Sequence, residues 1–554
     1  MKKQIHVTVN NRKHVFPKGI KVGAVLEKCR RSRKLPFQGA ILYNRLVDPD
    51  YVLNQDCSLR AVDYHSREGL AIYRRSATLI LIEAVSQLFP GKRLVIGQSI
   101  ADGYYFDLHL GRSLTELDIS KISRRMTRIV QGNRRFIKKY LPYHEAKDYF
   151  EQAGMEDKVK LLAYLRTSEI CVVSCGKFQE IYSGPLAPST GNIEVFSLEL
   201  YQEGMVLRFP RWMEGKGWKL SPVRQETKLF NVYRETRHWN NILQVENVGM
   251  LNNLIVGGEI KEMIVVAETL HEKKISTIAD QVNSRREELK LILIAGPSSS
   301  GKTTFAKRLM IDLKVNGFNP IALSMDNYFQ DRENTPRDAN GDYDFEALEA
   351  LDLKLFNSQL KQLMAGKSIK PPTFDFKKGQ KLPGKQSIQL KKNTVLIVEG
   401  IHGLNEKVSA VVPAEKKFKI YVSALTQLCV DDHNRIFTSD TRLLRRIVRD
   451  RKYRGWSAAQ TIQLWPSVRR GENRNIFPFQ ENADVMFNSA LVYEQAVLKH
   501  HAERALLEVT PDRKEYVEAA RLLQFLSFFA PLSEKEVPST SILREFIGGS
   551  FFDY

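Results

Sequence analysis

The most constraining stretch of this 554-residue chain is LILIAGPSSSGKTTFAKRL, residues 291–309. A continuous apolar run stops at Gly296, a glycine- and serine-rich turn follows, and a helical pattern opens at Lys302. Gly296, Gly301, Lys302 and Thr303 stand in the G-x-x-x-x-G-K-[ST] spacing, between a buried strand and a helix, where that pattern cradles phosphate. The glycines let peptide N–H groups curl around phosphate oxygens, and the helix N-terminus adds partial positive charge. The loop Gly296, Pro297, Ser298, Ser299, Ser300, Gly301, Lys302, Thr303 and Thr304 is therefore expected to hold a nucleoside triphosphate. Lys302 should reach the terminal phosphates, and the Thr303 hydroxyl should face magnesium.

The flanking pattern extends this loop to a fold. LKLILIAG, FNPIALSMD, NTVLIVEG, KKFKIYVSA and ADVMFNSA are strand-like runs with helical segments between them, from residue 286 to about 500. Continuous apolar strands joined by helical crossovers mean a parallel sheet covered on both faces. Ligands of such sheets collect at the carboxyl ends of the strands. There IALSMDNYF delivers Asp326 and VLIVEG delivers Glu399. One carboxylate beside a terminal phosphate can accept a hydroxyl proton, and a second can help hold magnesium. Thr303, Glu399 and Asp326 are the expected metal-facing oxygens. Further on, DTRLLRRIVRDRKYRG carries seven basic residues from Arg442 to Arg454 and a single acid, Asp450. Arg442, Arg446 and Arg449 fall on one helix face, as a lid that neutralises charge during phosphoryl transfer requires.

The rest of the chain reads as further units, so the expected fold class is multidomain, α/β and α+β. Residues 1–65 alternate as short strands around one small helix, KVGAVLEKCRR; residues 66–212 mix a long helix with strands. Residues 213–285 form a polar helical connector, 286–500 the P-loop unit, and 501–554 a helical appendix. No apolar run approaches the length of a membrane span, and MKKQIHVTVNNRKHVF alternates like a strand rather than a signal peptide. A cytoplasmic protein without a membrane partner is expected. Five cysteines are too few for a disulfide scaffold. A metal reading of Cys171 and Cys175 would need two more ligands nearby, so they read as buried strand thiols. The net charge of +21 admits a solvated basic surface or a polyanion partner, RNA or nucleotide phosphate.

GPSSSGKTT, SMDNYF, PPTFDF, VEGIHGL, DTRLLRRIVRDRKYRG and ADVMFNSA recur in the order of the uridine kinase and phosphoribulokinase family, which residues 286–490 resemble. The resemblance implies ATP and Mg2+ as cofactors and a nucleoside as substrate. It implies Asp326 as the base on a ribose 5′-hydroxyl, with Lys302, Arg446, Arg449 and Arg454 stabilising the transferring group. It also implies Asp344 or Glu346 on the sugar hydroxyls. Uridine-cytidine kinases carry a tyrosine and a histidine that read the pyrimidine; here Phe374 and Gly379 stand in those places. The arginine that follows the lid's Arg-Gly is replaced by Trp456. Phe374 and Trp456 are thus the expected neighbours of the acceptor.

The N-terminal part carries a second resemblance. Residues 1–65 are similar to a TGS domain of β-grasp type. RSATLILIEAVSQLFPGKRLVIGQSIADGYYFDL and YSGPLAPSTGNIEVFSL resemble the second additional domain of threonyl-tRNA synthetase. That domain's editing or metal-binding centre uses two histidines, a cysteine and a further histidine. Arg75, Leu79, Tyr182 and Leu186 occupy those positions here, and none of them can ligate zinc. Editing is not expected. The half left over can bind RNA, bind a regulatory ligand, or pack on the kinase. The whole order of units resembles a group of bacterial nucleoside kinases. The expected activity is transfer of the ATP γ-phosphoryl to a nucleoside 5′-hydroxyl, uridine or cytidine foremost. A kinase of another small hydroxyl compound, and an RNA-binding nucleotide sensor, stand as alternatives, and homo-oligomerisation is left open.

Overall fold

In the computed structural model, the run Leu291–Ala295 is the middle strand of a five-stranded parallel sheet. The sheet order is Asn319–Ser324, Thr394–Glu399, Leu291–Ala295, Lys417–Ser423 and Val485–Asn488. The structure describes residues 4–29, 38–100, 102–213, 217–222, 226–338, 341, 343–375 and 378–553. Arg30 and Arg31 of the expected first helix, Asp342, and Phe376 and Lys377 of PTFDFKKG lie outside these ranges.

Burial alternates by face along the sheet. Ile292 and Ile294 point into one apolar core with Val395 and Ile397, while Leu291 and Leu293 join Leu396 and Val398 in another. Both faces are dry, which is why these strands read as unbroken apolar runs. The first core also takes in the helix Ile260–Asn283, the P-loop helix Lys302–Val315, and Ile542, Leu543, Phe546 and Ile547 near the C-terminus. The terminal segment is therefore part of the kernel of the fold. The helix Glu494–Leu507 runs through position 500, where the sequence pattern had suggested a break.

Among the described residues of the N-terminal half, three sheets have three or more strands. Gln4–Val9, Arg12–Pro17, Gly39–Leu42, Arg45–Val47 and Cys57–Val62 form a five-stranded mixed sheet. Leu94–Ile100 and Gly103–Leu108 pair with Ser197–Tyr201 and Gly204–Arg208, and Glu169–Cys175 lies between Ile137–Pro142 and Phe178–Ile181. The polar stretch IKKYLP carries no apolar alternation to mark it as a strand; pairing with Glu169–Cys175 makes it one. Cys171 and Cys175 sit on that middle strand; Cys175 is buried as expected, whereas Cys171 is only half-buried, and all five cysteines are free thiols.

The two halves are joined by charge as well as by packing. A hairpin of Cys429–Asp431 with Asn434–Arg435 sits between the sheet and the arginine helix and enters the N-terminal half. There the fully buried Lys158 ammonium lies 2.8 Å from Glu180 and 3.1 Å from Asp431. His433 Nδ1 is 2.5 Å from the other oxygen of Glu180, and Asp157 accepts the Asp432 N–H at 2.8 Å. Arg93 forks onto the Asp432 carboxylate at 2.6 and 2.7 Å. Burial alone would strip Lys158 of its proton, but Asp431, Glu180 and Asp157 together hold its pKa well above the ordinary lysine value.

Lys158→Met would leave these carboxylates facing each other across a dry interface, and breaking a buried ion pair costs about 3–5 kcal/mol. The expected outcome in calorimetry is a lower melting temperature and separate unfolding of the two halves. An unchanged thermogram would mean that water screens the cluster.

Candidate functional site

The loop after Leu291–Ala295 is shaped by its contacts. A side chain at Gly296 would lie 1.9 Å from the Val422 carbonyl oxygen, so only glycine lets the chain leave the sheet there. Ser299 takes φ +58° and Gly301 φ +82°, and this left-handed pair turns the backbone into the helix Lys302–Val315. The Ser299 and Ser300 hydroxyls are buried without hydrogen-bond partners. Lys302 Nζ folds back on the carbonyls of Gly296 and Pro297 at 2.9 and 3.2 Å. Burial pushes its pKa down, opposed by Glu399, Asp326, Glu545 and Glu346.

Carboxylates gather around that lysine. The Thr303 hydroxyl lies 3.2 and 3.3 Å from the two oxygens of Glu399, at the end of the adjacent strand. Burial raises the Glu399 carboxyl to about 7 against the pull of Lys302. Asp326 stands in the turn Met325–Tyr328, whose start is fixed by the Ser324 hydroxyl accepting the Asp326 N–H at 3.3 Å. Its side chain meets water in an open cleft, yet the protein walls raise its pKa, opposed by Lys302, Arg454 and Arg449. Glu346 reaches the same cleft; burial first and Glu472 second raise it to about 7, and its Oε2 is buried without a partner. Asp344 turns away to pair with Arg474. Of the two candidates for sugar hydroxyls, Glu346 is the one in the cleft.

The arginine run forms the helix Thr438–Arg449, continued by a wider turn, Asp450–Arg454. Its members divide into two groups. Arg442 forks onto Glu472, with Nη2 at 2.8 Å, and Arg445 pairs with Glu494 at 2.6 Å; all four side chains are buried. Arg446, Arg449 and Arg454 instead converge on the buried Asp450 at 3.2–3.3 Å, and Arg446 Nη1 donates to the Ser298 hydroxyl at 3.1 Å. The Arg454 guanidinium lies 5.7 Å from the Trp456 ring centre. Opposite, Phe374 receives its place from Asn327, whose side chain accepts the Phe374 N–H at 3.4 Å beside Asp326. Gly379 packs against Arg332, and its carbonyl accepts the Arg332 N–H at 2.8 Å.

Residues 291–494 match the family described as Phosphoribulokinase / Uridine kinase family. This region, a parallel sheet whose middle strand feeds the phosphate loop, is similar to that family along its whole length. The solved structure of a possible uridine kinase from Bacillus stearothermophilus shares 17% identity and covers 39% of this chain and 98% of its own, at a TM-score of 0.26. The N-terminal region is similar to threonine–tRNA ligases. That of Legionella pneumophila (strain Corby) is 36% identical over 154 residues, 28% of this chain and 24% of that protein. That of Symbiobacterium thermophilum is 30% identical over 200 residues, 36% and 31% of the two chains. The chain thus spans about a quarter to a third of the length of these curated relatives.

At the positions where the synthetase-like resemblance expects a centre, Leu79 and Leu186 lie in one apolar core. Arg75 Nη1 donates to the Pro185 carbonyl at 2.6 Å, and the Tyr182 hydroxyl donates to Asp48 at 2.8 Å. In the C-terminal part of the chain, sequence reasoning missed Glu472 and Glu545. Glu472 lies on a helix, Ala458–Asn475, that carried no motif, and it accepts the Ser298 N–H at 3.2 Å. Glu545 comes from the C-terminal segment and meets the P-loop helix at Thr304.

Because Glu346 titrates at about 7 in the fold against an ordinary 4.5, it binds its proton more tightly folded than unfolded. That linkage favours the fold in acid, and the advantage is lost as pH rises from 4.5 through about 7. Glu346→Gln should therefore raise the melting temperature clearly at about pH 8 and little at about pH 5. Equal gains at both would place the carboxylate in bulk water.

Proposed function

We propose that this protein transfers the γ-phosphoryl group of ATP to a hydroxyl of a small molecule, most specifically the 5′-hydroxyl of a nucleoside. The observation that carries this reading is the placement of Asp326 in the same cleft as Lys302, Arg449 and Arg454, at a strand end beside the P-loop. A carboxylate so placed can take the proton of an attacking hydroxyl while fixed cations neutralise the transferring phosphoryl group. Its raised pKa improves the match to a base working near neutral pH.

Thr303 and Glu399 suit magnesium, which takes oxygen ligands and completes its shell with phosphates and water rather than a full protein cage. Magnesium, when bound, would neutralise charge on the β- and γ-phosphates. The chain's own residues do the rest. Lys302, Arg446, Arg449 and Arg454 neutralise the phosphates, and Asp326 receives the proton. Glu346, whose carboxyl sits at about 7, can hydrogen-bond sugar hydroxyls in either protonation state. Phe374 and Trp456 offer aromatic faces, so a base would be held by stacking more than by edge hydrogen bonds. That predicts a broader choice of base than a pocket with paired polar groups would allow.

The test is a transfer screen with γ-labelled ATP and magnesium against nucleosides, with sugar phosphates and glycerate in parallel. A labelled nucleoside monophosphate is expected. Label on a sugar phosphate instead would keep the kinase and replace its acceptor, and silence from every acceptor would overturn the reading. Asp326→Asn should cut turnover by about 10²–10⁴-fold, as loss of a positioned base does, with ATP affinity nearly intact. Lys302→Ala should weaken both. Near-normal turnover in Asp326→Asn would remove Asp326 from the role of base.

A further inference from the structure

The first turn of a P-loop helix is where peptide N–H groups are offered to phosphate. In this protein one of those groups is already engaged. Glu545 Oε2 accepts the Thr304 N–H at 3.2 Å and the Thr304 hydroxyl at 2.7 Å. Its charge is also felt by Lys302 and by Glu399, so it belongs to the electrostatics of the loop itself.

The segment that brings Glu545 there is firmly built. Ile542, Leu543, Phe546 and Ile547 are buried in the main core. Ile542 packs on the loop so closely that a side chain at Gly301 would lie 2.5 Å from its Cγ2. Arg445, from the arginine helix, stacks over the Phe546 ring at 5.0 Å. Lys452 donates to the Ile547 carbonyl at 2.5 Å, and Lys307 holds the Asp553 carbonyl. The backbone of this segment is thus fixed to the P-loop, to its helix and to the lid, which leaves the Glu545 side chain as the part free to move.

We propose that Glu545 sets the nucleotide affinity of the site: its carboxylate occupies a phosphate position at the first turn of the P-loop helix and must yield it when a nucleotide binds. The inference rests on the P-loop being the nucleotide site. Phosphate and carboxylate seek the same donors here, Thr304 N–H and Oγ–H, and the helix N-terminus favours either anion. Two anions cannot share the position, so part of the nucleotide's binding free energy is consumed in displacing the carboxylate. The rival role, a plain helix cap, stabilises the fold by the same contact but makes no claim on nucleotide affinity.

Glu545→Gln keeps the size and the hydrogen-bonding reach of the side chain and removes its charge. Titration of the full-length protein with magnesium and a non-hydrolysable ATP analogue should show about tenfold tighter binding for this variant, the scale of a charge at a helix end. Inorganic tripolyphosphate should tighten in parallel, because the competition is for phosphate and not for the base. Glu545→Asp, which keeps the charge but retracts it, should move affinity in the same direction by less, and serves if the glutamine variant folds poorly. Equal or weaker binding by the variants, with or without a loss of melting temperature, would overturn the proposal and leave Glu545 as a cap. Nucleotide binding by neither wild type nor variant would overturn the nucleotide-site reading, and this proposal with it.

Discussion

A loop that offers peptide N–H groups and a helix N-terminus to one place is a standing demand for negative charge, and the fold around this P-loop is organised by that demand. It is met by side chains from distant parts of the sequence. Glu472 accepts the Ser298 N–H, Glu545 accepts the Thr304 N–H, and Glu399 faces the Thr303 hydroxyl. Carboxylates placed in a half-dry site need counter-charges of their own. Burial pushes the Glu472 pKa up, but Arg442 and Arg469 more than offset it and hold it below the ordinary glutamate range. Requirement thus passes from loop to carboxylate to arginine, and the arginine helix is drawn over the loop as a consequence.

Seen this way, the arginine run is two devices on one helix. Arg442 and Arg445 are fully buried and bound to buried glutamates; they fasten the helix to its neighbours. Arg446, Arg449 and Arg454 lie further toward the open cleft and are gathered by Asp450, which has three cationic partners for one negative charge. The surplus positive charge is held near the loop without being neutralised, the state in which cations serve an incoming polyphosphate best. Clustering by one acid also lowers the cost of keeping three like charges together.

The fold of the C-terminal unit around its P-loop was legible in the sequence because it depends on local rules. A strand, a glycine turn and a helix announce themselves by burial and spacing, and Asp326 and Glu399 are marked by ending strands. What could not be read is non-local. Nothing in the spacing of Arg442, Arg445 and Arg446 distinguishes a structural arginine from a cleft-facing one; burial by elements far along the chain does. Asp344 and Glu346 are equivalent as sequence, and only Arg474, on a later helix, claims the first and leaves the second. Glu545 lies more than two hundred residues from the helix it meets. The edge strand Ile137–Pro142 was invisible for a related reason: an exposed polar strand has no apolar period to show, and only its partner defines it.

The N-terminal half bears on the site through the hairpin at the root of the arginine helix. Asp431 and His433 in that hairpin are gripped by Lys158 and Glu180, and Phe437, at the helix start, lies 6.1 Å from the Tyr104 ring. Arg521 and Asp440 clamp the first turn of the same helix at 2.6 Å, and Arg67 joins them through Glu518 at 2.8 Å. The helix that carries the cleft arginines is therefore anchored at its N-terminal end by residues of the N-terminal half and the C-terminal helices together. At Arg75, Leu79, Tyr182 and Leu186 the synthetase-like unit has side chains that pack or pair internally, with Asp48 of the first unit drawn in by Tyr182 and Lys138. Positions that a hydrolytic centre would need open are here closed by contact. The ion pairs at that root tie the arginine helix to the N-terminal half and the C-terminal helices, and Arg446 at its other end reaches the P-loop through the Ser298 hydroxyl.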